Sequence, residues 1–493
     1  MSIYFVRSAV RCSTVPRHST IVAAAAILLA AGAGGHAQLV TPKTVPIHGD
    51  DQFAIFPSAY AGMGGASLAL DDTLADPFAN PALAARIRGG VVFSAPFLHG
   101  VSTGRGGGST FPIGGAVSAG PWAAAAMIAL QRTNQEQTSA SSPAQPASNQ
   151  YGELVLARRL SRGISVGASA YIADLNAMDD QDLLYGGSDQ LVQSGTLHDF
   201  RIGVTKTWGA RRLDFLVLTN RTDVTQDVHY TFYHWTPDSS FVTRLSEHNA
   251  DRTTIWGAHT QYVQPLSDGW RMGWLATVNR LSHPEIPNYR IQNIPRDPGN
   301  TNAYNLGVGL SRVLGPNVFA LDAIAEPMYS RTWGTAAHDT VGVGGTTVRA
   351  GERTVDNRFT FSNVHLRAGA AHEFAVSRDS SSAWNIQYGL GMYSINYRLR
   401  QDDHVQQTSR VADHSWTEWT PTIGLGLRTR SFTFRYNYRR TCGPSTCIDF
   451  ASGDKVTVTA PGPGGIIAAP AEGSWVEGGV VHVHQFVLTI PIG

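Results

Sequence analysis

The stretch Phe432-Thr433-Phe434-Arg435-Tyr436-Asn437-Tyr438-Arg439 decides the fold. Phe432, Phe434, Tyr436 and Tyr438 share one face of an extended chain, and Thr433, Arg435, Asn437 and Arg439 share the other. A period of two marks a strand lying between an apolar and a polar medium. The pattern recurs at 384–392, where Trp384, Ile386, Tyr388, Leu390 and Met392 alternate with Asn385, Gln387, Gly389 and Gly391. It recurs again at 270–279 and 364–373. A soluble sandwich alternates too, so the connections must choose between them.

Short connections lie near 120–121, 161–163, 209–210, 267–269, 315–317, 376–382 and 428–431. Long polar ones lie near 100–110, 132–149, 176–196, 223–250, 282–302, 329–357, 399–413 and 441–480. The two kinds take turns, which puts every short turn at one end of the sheet. Outer-membrane barrels are built that way, with short periplasmic turns and longer external loops. Trp122, Trp208, Trp270 and Trp384 each stand beside a short turn. Indoles at one height make an interfacial belt.

The expected fold is therefore all-β: a transmembrane antiparallel β-barrel occupying 89–493. The alternating segments are 89–98, 111–119, 122–131, 150–159, 164–174, 197–208, 211–222, 252–264, 270–281, 303–313, 317–328, 358–374, 384–398, 414–428, 431–440 and 480–492. This gives sixteen strands, or fourteen if the weak first ones drop out. An even count returns both barrel ends to the periplasmic side.

Charge excludes one class of partner. In 493 residues, 38 Lys+Arg stand against 37 Asp+Glu, with no concentrated basic stripe, so nucleic acid is not expected. Residues 1–37 carry Arg7, Arg11 and Arg17 and no acid, then an apolar run over 21–33, then Gly35-His36-Ala37. Charged start, short apolar centre and small residues before a cleavage point describe a signal peptide. The run falls short of the ~20 residues that a membrane-spanning helix needs. Cys442 and Cys447 flank a Gly443-Pro444 turn and are expected to form a disulfide in an oxidising compartment. A metal pair is the alternative, but no second pair completes four ligands.

Residues 38–88 do not alternate. They carry Ala61-Gly62-Met63-Gly64-Gly65-Ala66, Asp71-Asp72 and Asn80-Pro81-Ala82. Gly62-Met63-Gly64 is no dinucleotide loop, since no strand–turn–helix unit follows and no acid stands about 20 residues on. The order of these motifs just before the first strand resembles the N-terminal signature of FadL-type outer-membrane proteins, the long-chain fatty-acid transporters and their aromatic-hydrocarbon relatives. The match covers about 25 residues, Gly62, Gly64, Asp71, Asp72, Asn80 and Pro81 among them; over the rest it is architectural. The resemblance implies that 38–88 folds into the lumen as a hatch, that the protein sits in the bacterial outer membrane, and that the barrel has fourteen strands. The chain departs from the family in having Phe486 as its last aromatic residue.

The leading functional expectation is a passive channel for small hydrophobic or amphipathic compounds, fatty acids or aromatics, using no cofactor. Outer-membrane lipid and an apolar ligand would be its partners. Tyr230, Phe232, Tyr233, Trp235 and Phe241 make 223–250 unusually aromatic, either as a capture surface or as two strands extended above the membrane. Arg201, Arg271, Arg367 and Arg435 fall on lumen faces, where they could meet a ligand carboxylate or pair with acids such as Glu373. His482 and His484 share a face, the spacing of a metal pair, but with no third ligand in view. The alternative class is a structural or protein-secretion partner binding secreted or surface proteins. An enzyme is not expected, because no Gly-x-Ser-x-Gly elbow or His-Glu-x-x-His motif occurs.

Overall fold

The structure, a computed structural model, describes residues 55–101, 107–134, 146–177, 188–236, 239–283, 299–336, 338–376, 382–443 and 480–492. The proposed signal peptide and residues 38–54 lie outside the described residues.

After the lumenal segment the described chain forms one large antiparallel sheet closed on itself, with a separate small pairing of Thr340–Val341 with Thr347–Val348. Strand β1 comes in two pieces, Gly90–Ser94 and Phe97–Val101, set end to end between the same two neighbours. Then follow β2 (Gly107–Ala119), β3 (Trp122–Asn134), β4 (Pro146–Arg159), β5 (Ile164–Leu175), β6 (Gln190–Trp208), β7 (Arg211–Thr236) and β8 (Ser239–Pro265). The circuit continues with β9 (Trp270–His283), β10 (Gly299–Leu314), β11 (Asn317–Thr335), β12 (Arg353–Ala375), β13 (Ala383–Asp403), β14 (Thr408–Arg428), β15 (Thr433–Cys442) and β16 (Val480–Ile492). Strand β16 pairs with β1 and closes a barrel of 16 strands. The fourteen strands implied by the resemblance are corrected to sixteen, because even the weak, glycine-rich β1 and β2 are fully paired.

Alternation sets the faces. On β13, Trp384, Ile386, Tyr388 and Leu390 are exposed on the outside, while buried Gln387 and Leu399 point into the lumen. The four short-turn tryptophans are exposed outward, and Arg158 stacks over Trp122 and Arg312 over Trp270, at 5.0 and 5.2 Å. A guanidinium over an indole keeps its charge at the wet edge of the belt. Short turns use left-handed backbone where the strand twist demands it. Asp268 and Gly269 have φ of 57° and 76°, the consecutive positive pair of a tight hairpin.

Two stretches expected as long loops are instead strand. Residues 223–250 extend β7 and β8 in unbroken register up to the pair Thr236↔Ser239. Residues 399–413 extend β13 and β14 to a tight turn between Asp403 and Thr408. Polar alternation above the membrane still favours a ladder, because it satisfies backbone N–H and C=O groups that bare loops leave to water.

Candidate functional site

Residues 55–88 run through the lumen without joining the sheet, so each buried backbone polar group there needs a partner other than a ladder. The barrel wall supplies them strand by strand. The Phe56 carbonyl accepts from Gln485 of β16 at 3.4 Å, and Ala59 O accepts from Gln387 of β13 at 2.8 Å. The Gly64 N–H donates to Thr422 Oγ1 of β14 (2.8 Å), which in turn donates to Gly62 O (2.8 Å). Arg367 of β12 donates to Gly65 O at 2.7 Å. Asp322 of β11 accepts from the Ser67 and Leu68 amides at 2.7 and 3.2 Å, and Ser311 of β10 donates to Ala69 O at 2.8 Å. The segment circles the inside of the wall.

Close approach requires glycine on the wall. At Gly203 a Cβ would occupy the place of Asn80 Oδ1, and at Gly389 it would collide with the Gly64 backbone. From sequence, Gly389 reads only as part of the small face of an alternating strand, and Gly203 is not singled out at all.

The two acids of the motif divide the work. Asp72 folds the segment on itself: Oδ2 accepts from Ser58 Oγ (2.6 Å) and Ala59 N–H (2.8 Å), and Oδ1 from the Leu74 and Ala75 amides (3.0 and 3.3 Å). Asp71 pairs with Arg86 of the segment itself (2.9 Å) and ties it to the rim through Arg271 of β9 (2.9 Å) and Arg212 of β7. Burial alone would raise the Asp71 carboxyl, but the Arg86 hydrogen bond, with Arg212 and Arg271, outweighs it and holds the group below the usual carboxylate range. Asn80 Oδ1 caps the helical turn Pro81–Arg86 by accepting from Ala82 N–H at 3.1 Å.

All four arginines expected in the lumen face it, and three of them grip this segment. Arg201 pairs with Asp199 (2.6 Å) and donates to the Phe78 and Ala79 carbonyls (3.2 and 3.3 Å). Arg271 and Arg367 hold Asp71 and Gly65, as above. Arg435 lies in the field of Asp72 and Tyr60, with its Nη1 lacking a hydrogen-bond partner among the described residues. Glu373 makes no ion pair with any of them, though its charge reaches Arg435; it pairs with Arg428 at 2.5 Å, because both sit at the short-turn rim.

The lumen wall is divided. On β1–β6, Phe93, Met127, Tyr151 and Tyr171 form one apolar cluster with Ile55, Phe56 and Phe78 of the lumenal segment. Phe56 stacks on Phe78 at 5.2 Å, and Phe78 meets Phe93 edge-on at 5.9 Å. On the other side, Tyr393 donates to Glu326 at 2.7 Å in a polar layer, beyond which Met328, Phe359, Phe361, Tyr397 and Leu399 pack with Trp416. This second cluster was not singled out from sequence. Its signal was there: Phe359 and Phe361 break the polar lumen parity of β12.

The aromatic residues of 230–241 stand on a hairpin that projects past its neighbour, since β6 pairs with β7 only as far as His229. Tyr230 and Phe232 stack at 6.0 Å on the lumen-side face; Trp235, 79% exposed, and Tyr233 turn outward. His482 and His484 face outward, each bonded to a tyrosine of β15: Tyr438 at 2.7 Å and Tyr436 at 2.8 Å. No group of metal-binding side chains occurs among the described residues. Cys442 is buried at the end of β15, whereas Cys447, and with it the expected disulfide, lies outside the described residues.

A closed sheet with an apolar outer face, an indole belt and hydrogen-bonded lumen polar groups can rest only in a bilayer. The protein is a bacterial outer-membrane β-barrel with a hatch in its lumen. No protein-family model matches the chain, and no curated protein does. Among solved structures, it is similar to a FadL homologue from Pseudomonas aeruginosa, at 12% identity and a TM-score of 0.41, covering 89% of this chain and 99% of that one. It is also similar to the CymD monoaromatic hydrocarbon channel (10% identity, TM-score 0.38, 89% and 97% covered). A bacterial polysaccharide outer membrane secretin overlaps at 7% identity and a TM-score of 0.39, covering 82% of this chain and 98% of that one. No residue role is carried over from any of them.

Proposed function

We propose that the protein is a passive outer-membrane channel for small hydrophobic or amphipathic compounds, with the hatch as its gate. The observation that supports this is the two-sided docking of the hatch. On the flank towards β7–β14 it is held by hydrogen bonds and ion pairs beside small apolar contacts such as Leu68 with Leu275 and Ile324; on the flank towards β1–β6 it is held mainly by apolar contact, through Ile55, Phe56 and Phe78, with Arg201 bonded to the Phe78 and Ala79 carbonyls. An apolar ligand competes with the second flank and not with the first, so it can slip between hatch and wall where a sugar cannot. Fatty acids and aromatic hydrocarbons fit that description, as the motif resemblance also suggests.

The test is reconstitution of residues 38–493 in liposomes with a polar sugar, a fatty acid and an aromatic hydrocarbon. Selective uptake of an apolar compound, altered by deleting 38–60, supports the gate. Uptake of the sugar makes the protein an ordinary porin. Uptake of none favours the second reading, a structural or secretion partner, for which the exposed aromatic residues of the projecting hairpin speak.

A further inference from the structure

The outer surface carries a row of arginines that the channel reading does not use. Arg331 on β11, Arg358 on β12 and Arg400 on β13 are direct cross-strand partners on the outward face. Arg398, two residues below Arg400, shares that face. Partners in adjacent strands stand about 5 Å apart, and like charges so placed repel. The row therefore needs anions, and the described residues supply too few.

Asp356, just above the row, is taken by Arg331 (Nη2 at 2.5 Å) and by Arg353. Arg398 is engaged with Asp413 at 2.7 Å. What remains is Arg358, which reaches Asp356 only at 3.7 Å, and Arg400, which reaches Asp402 at 3.9 Å. Their side chains are 52% and 62% exposed. Two guanidinium forks on neighbouring strands, open on one side, match the oxygens of a phosphate.

Height says where that phosphate comes from. At ~3.3 Å per residue and ~40° tilt, Arg331 lies about 35 Å above Asn317 at the short-turn end, beyond an apolar band of about 25 Å. Tyr329, exposed on the same face, is the aromatic residue just below Arg331, and exposed Val411 lies opposite Arg400. The row thus stands at the level of outer-leaflet headgroups, with apolar surface directly beneath. We propose that Arg358 and Arg400 form a docking site for the phosphorylated headgroup of an outer-leaflet lipid, whose acyl part lies along Tyr329.

The test uses the purified full-length barrel in phosphatidylcholine nanodiscs doped with bisphosphorylated lipid A, with its dephosphorylated form, or with neither. The double substitution Arg358→Gln/Arg400→Gln should weaken binding of the phosphorylated lipid about tenfold or more. Arg221→Gln/Arg252→Gln, changing exposed arginines of the β7–β8 hairpin, should leave it unchanged. Heat-modifiable gel mobility confirms that each variant folds. Equal affinity for the dephosphorylated lipid, or an unchanged affinity in the Arg358/Arg400 variant, overturns the proposal. Displacement of the lipid by millimolar inorganic phosphate reassigns the row to a free anion and overturns it as well.

Discussion

The hatch and the projecting β7–β8 hairpin are both departures from a plain barrel, and they are held in opposite ways. The hatch has no regular pairing of its own and depends on single side chains from strands around the circuit. The hairpin depends on nothing but its own ladder, which runs unbroken from Arg212↔Val263 to Thr236↔Ser239. A segment held by dispersed contacts can be released as a unit when a few are lost. A ladder tolerates the loss of any one side chain. Under the proposed gating, the difference puts the moving part in the hatch and the fixed part in the hairpin.

The comparison breaks most readily at Asp72. Replacing it by alanine removes four hydrogen bonds inside the hatch, including those from the buried Ala75 and half-buried Ala59 amides. Bonds to a charged group contribute about 1.5–3 kcal/mol each at most, so Asp72→Ala should loosen the hatch by about 3 kcal/mol, roughly a hundredfold in its released fraction. Limited proteolysis of detergent-solubilised protein should cut the hatch and leave the barrel whole. A variant as resistant as the parent would show that docking to the wall holds the hatch without these internal bonds.

Next in size is Gly203→Val, which drives a side chain into Asn80. Overpacking typically costs about 1–3 kcal/mol, and here it falls on hatch docking rather than on the strand. Amide exchange should quicken across 78–86 while β6 stays protected.

The rim clasp sets a pH expectation. The Asp71 carboxyl is depressed, so its contribution is complete above the unfolded value of ~3.9 and is lost only as pH falls through its lower folded value. Protease resistance of the hatch should therefore hold from pH 7 to 5. Release over that interval would contradict the clasp.

The smallest effect belongs to the hairpin. Trp235→Ala with Phe232→Ala should change stability by less than about 0.5 kcal/mol, since both are exposed. Unchanged uptake of every hydrophobic ligand tested would remove the capture reading of these rings.

Strand positions were legible because alternation is a local property, written residue by residue between lipid and lumen. The tryptophan belt was legible for the same reason. The reach of the strands was not: 223–250 has too many polar residues on both faces to reveal a boundary once the membrane stops imposing one. Asp71 and Asp72 stood out as a motif, but their partners are set by which strands the closed barrel brings opposite them. Gly203 and Gly389 gave no sign of their purpose, since a glycine in a strand looks the same whether it faces a void or a neighbouring backbone. The Phe359–Tyr397 cluster needed the register of β12 against β13 before its members could be seen to meet.

The central claim is that the hatch closes the barrel and that the hydrogen bonds Asp72 makes within it keep it closed. Single-channel recording in planar bilayers tests this directly, comparing residues 38–493 with the same chain carrying Asp72→Ala. The parent should show no porin-sized conductance steps, and the variant should show them. Porin-sized steps in the parent, or a variant as silent as the parent, would contradict the account.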